Sequence, residues 1–370
     1  MSTVLLSGVG ALGGWALELL ARSSGVDRII TVDRIQWSGP SRTNLAMIGA
    51  VFQGHTKAWE HHQIDLADTG AVARLLAETR PDAILHSATM QSPRRLMQAS
   101  IDPALRATLR RATFGMWLPW HLLPAARLVK GIEAAGIDTA VVNVSFPDVV
   151  NVILRNHFGH GPIAGAGNVE VLVAQIVRYL VDVAGLNPRD FVVSLVGSHA
   201  LLGHGPGVPH HLRITVGGRD ATDEYDLGAM ISWPEQIDWS KVDVFSLFAA
   251  SAVKNVLALL GEDTVRTHVS GANGLPGGYP VRINGGQIDL DLASGLTRDE
   301  AISINEQAAR WDGIASIESD GTVVYTSGSS DAMAELGLDR KTFGFEEIED
   351  RAARLSEVFE RLVNPEDNYA

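Results

Sequence analysis

No cysteine occurs among the 370 residues. Disulfides, thiolate nucleophiles and cysteine-held metals are therefore excluded, and the composition suits a cytoplasmic protein. Positive charge is also scarce: 30 Lys and Arg stand against 43 Asp and Glu, for a net charge of −13. Basic residues gather only in small knots, at Arg94-Arg95 and Arg110-Arg111. A surface that tracks nucleic-acid phosphates is not expected. Nor is a membrane partner, because no apolar run is long and uncharged enough. The most apolar stretch, Val169 to Leu186, carries Glu170, Gln175, Arg178 and Asp182, and reads as a buried amphipathic helix. The amino terminus enters a strand at once, without the basic and apolar regions of a signal peptide. Internal repeats and low-complexity runs are missing too.

What the chain does have begins at Val4. The stretch Val4 to Gly14 reads VLLSGVGALGG. Small apolar residues form a buried strand; Gly8, Gly10 and Gly13 then follow at the spacing G-x-G-x-x-G, with Ala11 and Leu12 inside the turn. Trp15 to Ala21 continues as an apolar helix. Gly10 lets backbone approach a pyrophosphate, and the helix amides point at it. The next strand, Arg28–Val32, ends in Asp33, 20 residues beyond Gly13. A carboxylate there accepts hydrogen bonds from both hydroxyls of an adenosine ribose. Strand, turn, helix and acid in register predict a dinucleotide site. Asp33 favours NAD, because it would repel a 2′-phosphate, while Arg34 and Arg42 leave NADP open.

The first 150 residues go on alternating. Strands are expected at Thr3–Ser7, Arg28–Val32, His62–Ile64, Ala83–His86 and Ala140–Val144, and helices at Gly14–Ser23, Thr69–Glu78 and Trp120–Ala135. Such alternation makes a Rossmann-type parallel sheet with its ligand crevice at the carboxyl ends of the strands. Asp65 follows the third strand, where an adenine edge can be met. Ser87, Ala88 and Thr89 follow the fourth and are small enough for close approach. Asn143 and Ser145 close the fifth, near the expected nicotinamide. Residues 90–119 read as a loop over the crevice followed by a short helix, in which Arg94 or Arg95 could bind an anionic group on a substrate.

After Asp148 the pattern changes to α+β. A long helix is expected at Val169–Ala184, a strand at Phe191–Val196, then a loop rich in glycine and histidine through His211. Strands follow at Leu212–Val216, Val265–Ser270, Tyr279–Ile283 and Gln287–Leu290. An apolar helix, Val244–Leu260, serves either the core or association. Thr297 and Glu300 make a capping box, Gly321 turns a hairpin between Ile314–Glu318 and Thr322–Thr326, and an acidic amphipathic helix covers Phe345–Leu362. The expected organisation is a dinucleotide-binding domain over 1–150, an α+β substrate domain over 151–340, and a C-terminal helix and tail over 341–370.

Several pieces of this half carry a resemblance. Val141 to Asp148 (VVNVSFPD) is similar to a strand ending Asn-Pro-Val-Asp. Gly165 to Glu170 (GAGNVE) is similar to Gly-x-x-Asn-Leu-Asp, and Val196 to His199 (VGSH) to Val-Gly-Glu-His-Gly. Val208-Pro209, Val269-Ser270, Gly278 to Val281 and Asn284 to Gly286 follow in matching order. Together they resemble the lactate/malate dehydrogenase superfamily, from Val4 to about Gly313. The resemblance implies His199 as the group that exchanges a proton with the substrate oxygen. It implies Glu170, standing for aspartate, as the carboxylate that orients the imidazole, and Asn168 as a substrate contact. It also implies a homodimer or homotetramer.

The departures bear on the substrate. Where the family has its carboxylate-binding arginine, this chain has Val173, and Phe146 replaces the asparagine before Pro147. A bidentate clamp for a 2-hydroxy acid is missing. Asp65-Leu66 and Arg80 to Ala88 are similar to extended short-chain dehydrogenases, but no tyrosine here has the lysine four residues on that their mechanism needs. The expected function is therefore an NAD-dependent oxidoreductase, NADP left open, moving a hydride between nicotinamide and a secondary alcohol or ketone other than a simple 2-hydroxy acid. Two alternatives stand beside it: a lyase or hydrolase that keeps NAD bound and oxidises a sugar-like substrate transiently, and a non-catalytic NAD-binding sensor. No metal site is expected; a set of His199, His204, His210 and His211 is the one arrangement the sequence offers.

Overall fold

The computed structural model describes residues 2–91, 101–234, 242–338 and 341–363. The amino-terminal half runs β1 (Thr3–Ser7), α1 (Ala11–Arg22), β2 (Arg28–Asp33), α2 (Ser38–Val51), β3 (Ala58–Gln63), α3 (Thr69–Thr79), β4 (Ala83–His86), α4 (Pro103–Ala112), α5 (Leu118–Ala135), β5 (Ala140–Asn143), α6 (Pro147–Phe158) and β6 (Ala164–Gly165). The six strands form one parallel sheet in the order β3-β2-β1-β4-β5-β6. This is the doubly wound order, and its direction reverses between β1 and β4, which opens a crevice beyond their carboxyl ends. The central strands are apolar on both sides because helices cover both faces. Leu5, Ile30 and Ile84 pack against Leu75 and Leu76 of α3 and Leu128 and Ile132 of α5. Val4, Leu6 and Leu85 pack against Ala16, Leu17 and Leu20 of α1.

The rest comprises α7 (Val169–Asp182), β7 (Phe191–Val196), α8 (His199–His204), β8 (His211–Val216), β9 (Arg219–Asp220), α9 (Leu227–Ser232), α10 (Phe245–Leu260), β10 (Val265–Ser270), β11 (Gly278–Asn284), β12 (Gln287–Leu290), α11 (Arg298–Ala309), β13 (Ile314–Ile317), β14 (Val323–Tyr325), α12 (Ser327–Glu335), β15 (Thr342–Phe343) and α13 (Ile348–Val363). The strands make three antiparallel three-stranded sheets, β7-β8-β9, β10-β11-β12 and β13-β14-β15. Along α7, Val169, Leu172, Ile176 and Leu180 recur at helical spacing and are buried. The Thr297–Glu300 capping box forms as expected. So does the hairpin, with Ile314 opposite Tyr325. Helix α10 belongs to the core: Ala249, Ala252, Val253 and Val256 are buried in the cluster that also holds α1.

Helix α13 has a definite place. It crosses α5, where Trp120 is fully buried, stacks on Trp117 at 5.3 Å between ring centroids, and meets the Phe359 ring edge-on at 5.0 Å. Trp120 Nε1 donates to Ser356 Oγ at 3.0 Å, and Arg127 pairs with Glu349 at 2.7 Å. Several elements differ from the expectation, among them α8, a short helix where a loop was expected, and α2, α6 and β3. Helix α2 was not foreseen, because Gly39 and Pro40 sit in its first turn and Leu45, Ile48 and Val51 are exposed. Helix α6 begins at Pro147, which suits a first helical position. Strand β3 lies four residues earlier than expected and ends before Ile64; it is an edge strand with weak alternation.

Two histidines outside the cavity are held neutral by burial. His86 is pushed down to about 4. His268 is pushed down to about 3, with Lys254 adding to the burial effect, and its Nε2 accepts the Leu195 N–H at 3.1 Å. Their stabilising contribution is complete above the ordinary histidine value of 6.5. It is lost as pH falls, because the unfolded chain takes up protons first. The loss is about 2 kcal/mol per histidine by pH 5. The melting temperature should drop by several degrees between pH 7.5 and 5; a flat profile over that range would contradict this.

Candidate active site

The carboxyl ends of β1, β2, β4 and β5 open into a cavity of about 1050 Å³. Gly8, Gly10, Ala11 and Leu12 form one wall. Gly8 has φ +92°, and a Cβ there would sit 2.8 Å from the Ala88 nitrogen. Gly13 is not in the wall. It lets α1 pass under the turn, because a Cβ would land on the Gly8 carbonyl oxygen and 2.7 Å from Ser87 Oγ. A Cβ at Gly10, by contrast, would meet nothing within 4 Å. The space in front of the first turn of α1 is open, as a pyrophosphate requires.

Asp33 is fixed at the end of β2: its carboxylate accepts the Val9 N–H at 2.7 Å and the Ile35 N–H at 2.9 Å. Arg34 follows it in the wall, and Arg42 donates to the Gly10 carbonyl. Asp65 lines the cavity with one oxygen accepting the Ala67 N–H at 2.9 Å. Ser87, Ala88 and Thr89 line it at the end of β4; Ser87 Oγ donates to the Gly8 carbonyl at 2.8 Å, and Thr89 Oγ1 to the Trp120 carbonyl at 3.1 Å. Ser145 lines it too. Asn143 does not, which corrects that expectation. Its buried amide accepts the Ser145 N–H at 2.8 Å and donates to Asn151 Oδ1 at 2.9 Å, so it shapes the turn after β5.

His199 opens α8 and reaches the other end of the same cavity. Its Nδ1 lies 2.9 Å from Asp312 Oδ1, and its backbone N–H donates to Asp148 Oδ2 at 2.7 Å. Asn168, in the wall, donates to the other oxygen of Asp148 at 2.5 Å. Asp312 is 2% exposed and Asp148 3%. The imidazole packs against Phe114, 4.3 Å between centroids, and Phe146, 5.3 Å. Phe146 takes a left-handed conformation, φ +49°, just before α6. Burial opposes charge on His199, but the Asp312 charge and hydrogen bond, with help from Asp148, prevail and raise its pKa. Because Nδ1 is taken, Nε2 is the nitrogen available for chemistry.

The expected Glu170–His199 pair is not formed. Glu170 lies on the side of α7 that faces α10, where it accepts from Ser251, Lys254 and Asn255, the last at 3.0 Å. The carboxylate beside His199 comes instead from Asp312, in the 3-10 turn Arg310–Asp312. Its one sequence signal was an acid directly before Gly313 at the end of a helix, which also describes an ordinary cap. His121 of α5, another wall residue, went unnoticed because it sits in a uniformly apolar run. Val173 packs in the apolar cluster of α7 and β7. Arg94 and Arg95 lie outside the described residues. Among the described residues, no three histidines or carboxylates gather to hold a metal.

A parallel sheet ordered 3-2-1-4-5-6 followed by smaller antiparallel sheets gives the chain the α/β fold of the lactate and malate dehydrogenases. Among solved structures, the lactate dehydrogenase of Cryptosporidium parvum complexed with lactic acid and NAD matches with a TM-score of 0.57 at 16% identity, covering 96% of this chain and 98% of that one. The malate dehydrogenase of the same organism gives 0.58 at 15%, covering 84% and 98%. That of Plasmodium falciparum gives 0.59 at 14%, covering 90% and 99%. No protein-family model and no curated protein matches the chain.

Proposed function

We propose that the protein is an NAD-dependent oxidoreductase acting on a secondary alcohol or ketone. The observation that carries this reading is the His199–Asp312 pair, at one end of a cavity whose other end holds Gly10 and Asp33. The residues suit a nicotinamide dinucleotide: open space at Gly10 for the pyrophosphate, Asp33 at the ribose, small residues at Ser87 and Ala88. When bound, such a cofactor supplies or accepts the hydride. His199 Nε2 takes the proton from the alcohol oxygen or returns it to the ketone, while Asp312 fixes the tautomer and supports the imidazolium. Asp148 and Asn168 hold the backbone of that histidine in place.

Titration with NADH and NADPH tests this. NADH should bind in the micromolar range and NADPH at least tenfold more weakly. Asp33→Asn should weaken NADH and narrow the gap, since the repulsion of a 2′-phosphate is removed. Binding of neither nucleotide would overturn the proposal. NAD that survives purification would turn it toward the internally redox-cycling lyase or hydrolase.

A further inference from the structure

His121 has features that the proton transfer does not use. Its Nδ1 is 2.8 Å from Ser145 Oγ. Its Nε2 is buried with no hydrogen-bond partner in the protein, and the residue is 9% exposed. A buried polar atom left unpaired is costly, and because His121 lines the cavity, a ligand there can complete it. Phe114 joins it to the reacting end: its ring centroid is 5.5 Å from His121 and 4.3 Å from His199. Phe146 spans the same pair at 6.1 and 5.3 Å. Two imidazoles therefore share one aromatic slot.

Among the described residues, the His121 side of the slot is also poor in charge. Burial, helped by nearby His199, pushes the His121 pKa down to about 3, so the ring offers a hydrogen bond without a charge. Arg127, on the same helix and also in the wall, is engaged by both oxygens of Glu349. Arg34 belongs to the turn after β2, and Val173 lies away in an apolar cluster. Ser145 is itself anchored through Asn143, which fixes the position from which it orients the imidazole.

We propose that His121, set by Ser145, determines specificity by hydrogen-bonding a second, uncharged oxygen next to the reacting carbon. The substrate class is then a neutral vicinal diol or α-hydroxyketone whose apolar body lies between Phe114 and Phe146. This rests on the oxidoreductase reading and names the substrate class of that site.

Dead-end complexes with NADH give the test, because an alcohol and reduced cofactor cannot react. Cyclohexanol, trans-1,2-cyclohexanediol and lactate are titrated against the enzyme·NADH complex by cofactor fluorescence. The diol should bind at least tenfold more tightly than the monoalcohol, and lactate no more tightly than the monoalcohol. His121→Phe should bring the diol and monoalcohol within about twofold. Ser145→Ala should give an intermediate ratio, and keeps the test valid if the buried His121 variant does not fold. A wild-type ratio near one, an unchanged ratio in the variants, or lactate as the tightest ligand would each overturn the proposal. Failure to bind NADH at all would instead remove the cofactor reading, a distinct result.

Discussion

Replacing Asp312 with asparagine should lower kcat by about 10²- to 10⁴-fold, the range over which a positioned acid–base group acts. The amide cannot stabilise an imidazolium, and it can offer Nδ1 the wrong partner. Burial is then opposed only by the Asp148 charge, so the His199 pKa falls below its wild-type position. In ketone reduction, which needs the protonated ring, the active limb of the pH profile moves to lower pH. In alcohol oxidation the base becomes available at lower pH but is weaker. Stability gives a second readout. The pair stabilises the fold fully below the unfolded histidine value of 6.5, and that contribution disappears as pH rises through the elevated folded value. Asp312→Asn should remove this alkaline loss. Glu170→Gln is the comparison. It disturbs a buried cluster with Lys254 and Asn255, so it should lower the melting temperature while changing kcat less than tenfold. A Glu170 effect larger than that of Asp312 would reverse the assignment.

The second large effect is expected at Gly13. An alanine there puts its Cβ onto the Gly8 carbonyl oxygen and against Ser87 Oγ. The first belongs to the turn itself and the second, at the end of β4, holds that carbonyl by a hydrogen bond, so the turn must move. NADH affinity should fall at least 100-fold, and the melting temperature should fall with it. Gly10→Ala separates the two consequences. Its φ of −72° suits any residue, and its Cβ meets no protein atom. Stability should be unchanged, while NADH affinity drops more than tenfold because the methyl group occupies the space in front of the helix. Equal NADH affinity in Gly10→Ala and wild type, measured by fluorescence titration, would show that no pyrophosphate lies there.

The part of the cavity wall around Gly10 and Asp33 was legible in the sequence because its determinants are local. Gly8, Gly10, Gly13 and Asp33 lie within two strands and one helix, and backbone geometry dictates their types. His199 was legible only through its resemblance to a motif. Asp312 was not, because its role depends on how a distant 3-10 turn docks, and a carboxylate before a glycine has many commoner uses. Glu170 misled for the converse reason. It stands where the motif it resembles has its acid, but Ser251, Lys254 and Asn255, all on α10, claim its oxygens. Asn143 was placed at the correct strand end with its side chain assigned to the wrong side, a choice set by Asn151 across the turn. His121 carries no local signature: periodicity marks it as core, and only the packing of α5 against the turn after β5 turns it toward Ser145.

The separation of His199 and Asp312 along the chain has a consequence for synthesis. Most walls of the crevice come from residues between Ser7 and Asn168, with His199, Val244, Phe245 and Phe248 added later in the chain, and the parallel sheet closes with Gly165. The carboxylate that makes His199 useful emerges from the ribosome 113 residues after it, and α13, which braces the helix carrying His121, emerges later still. On the proposed reading, most of the crevice is thus made long before the acid–base pair is complete. A chain released before Asp312 would lack the carboxylate that the proposed proton transfer requires.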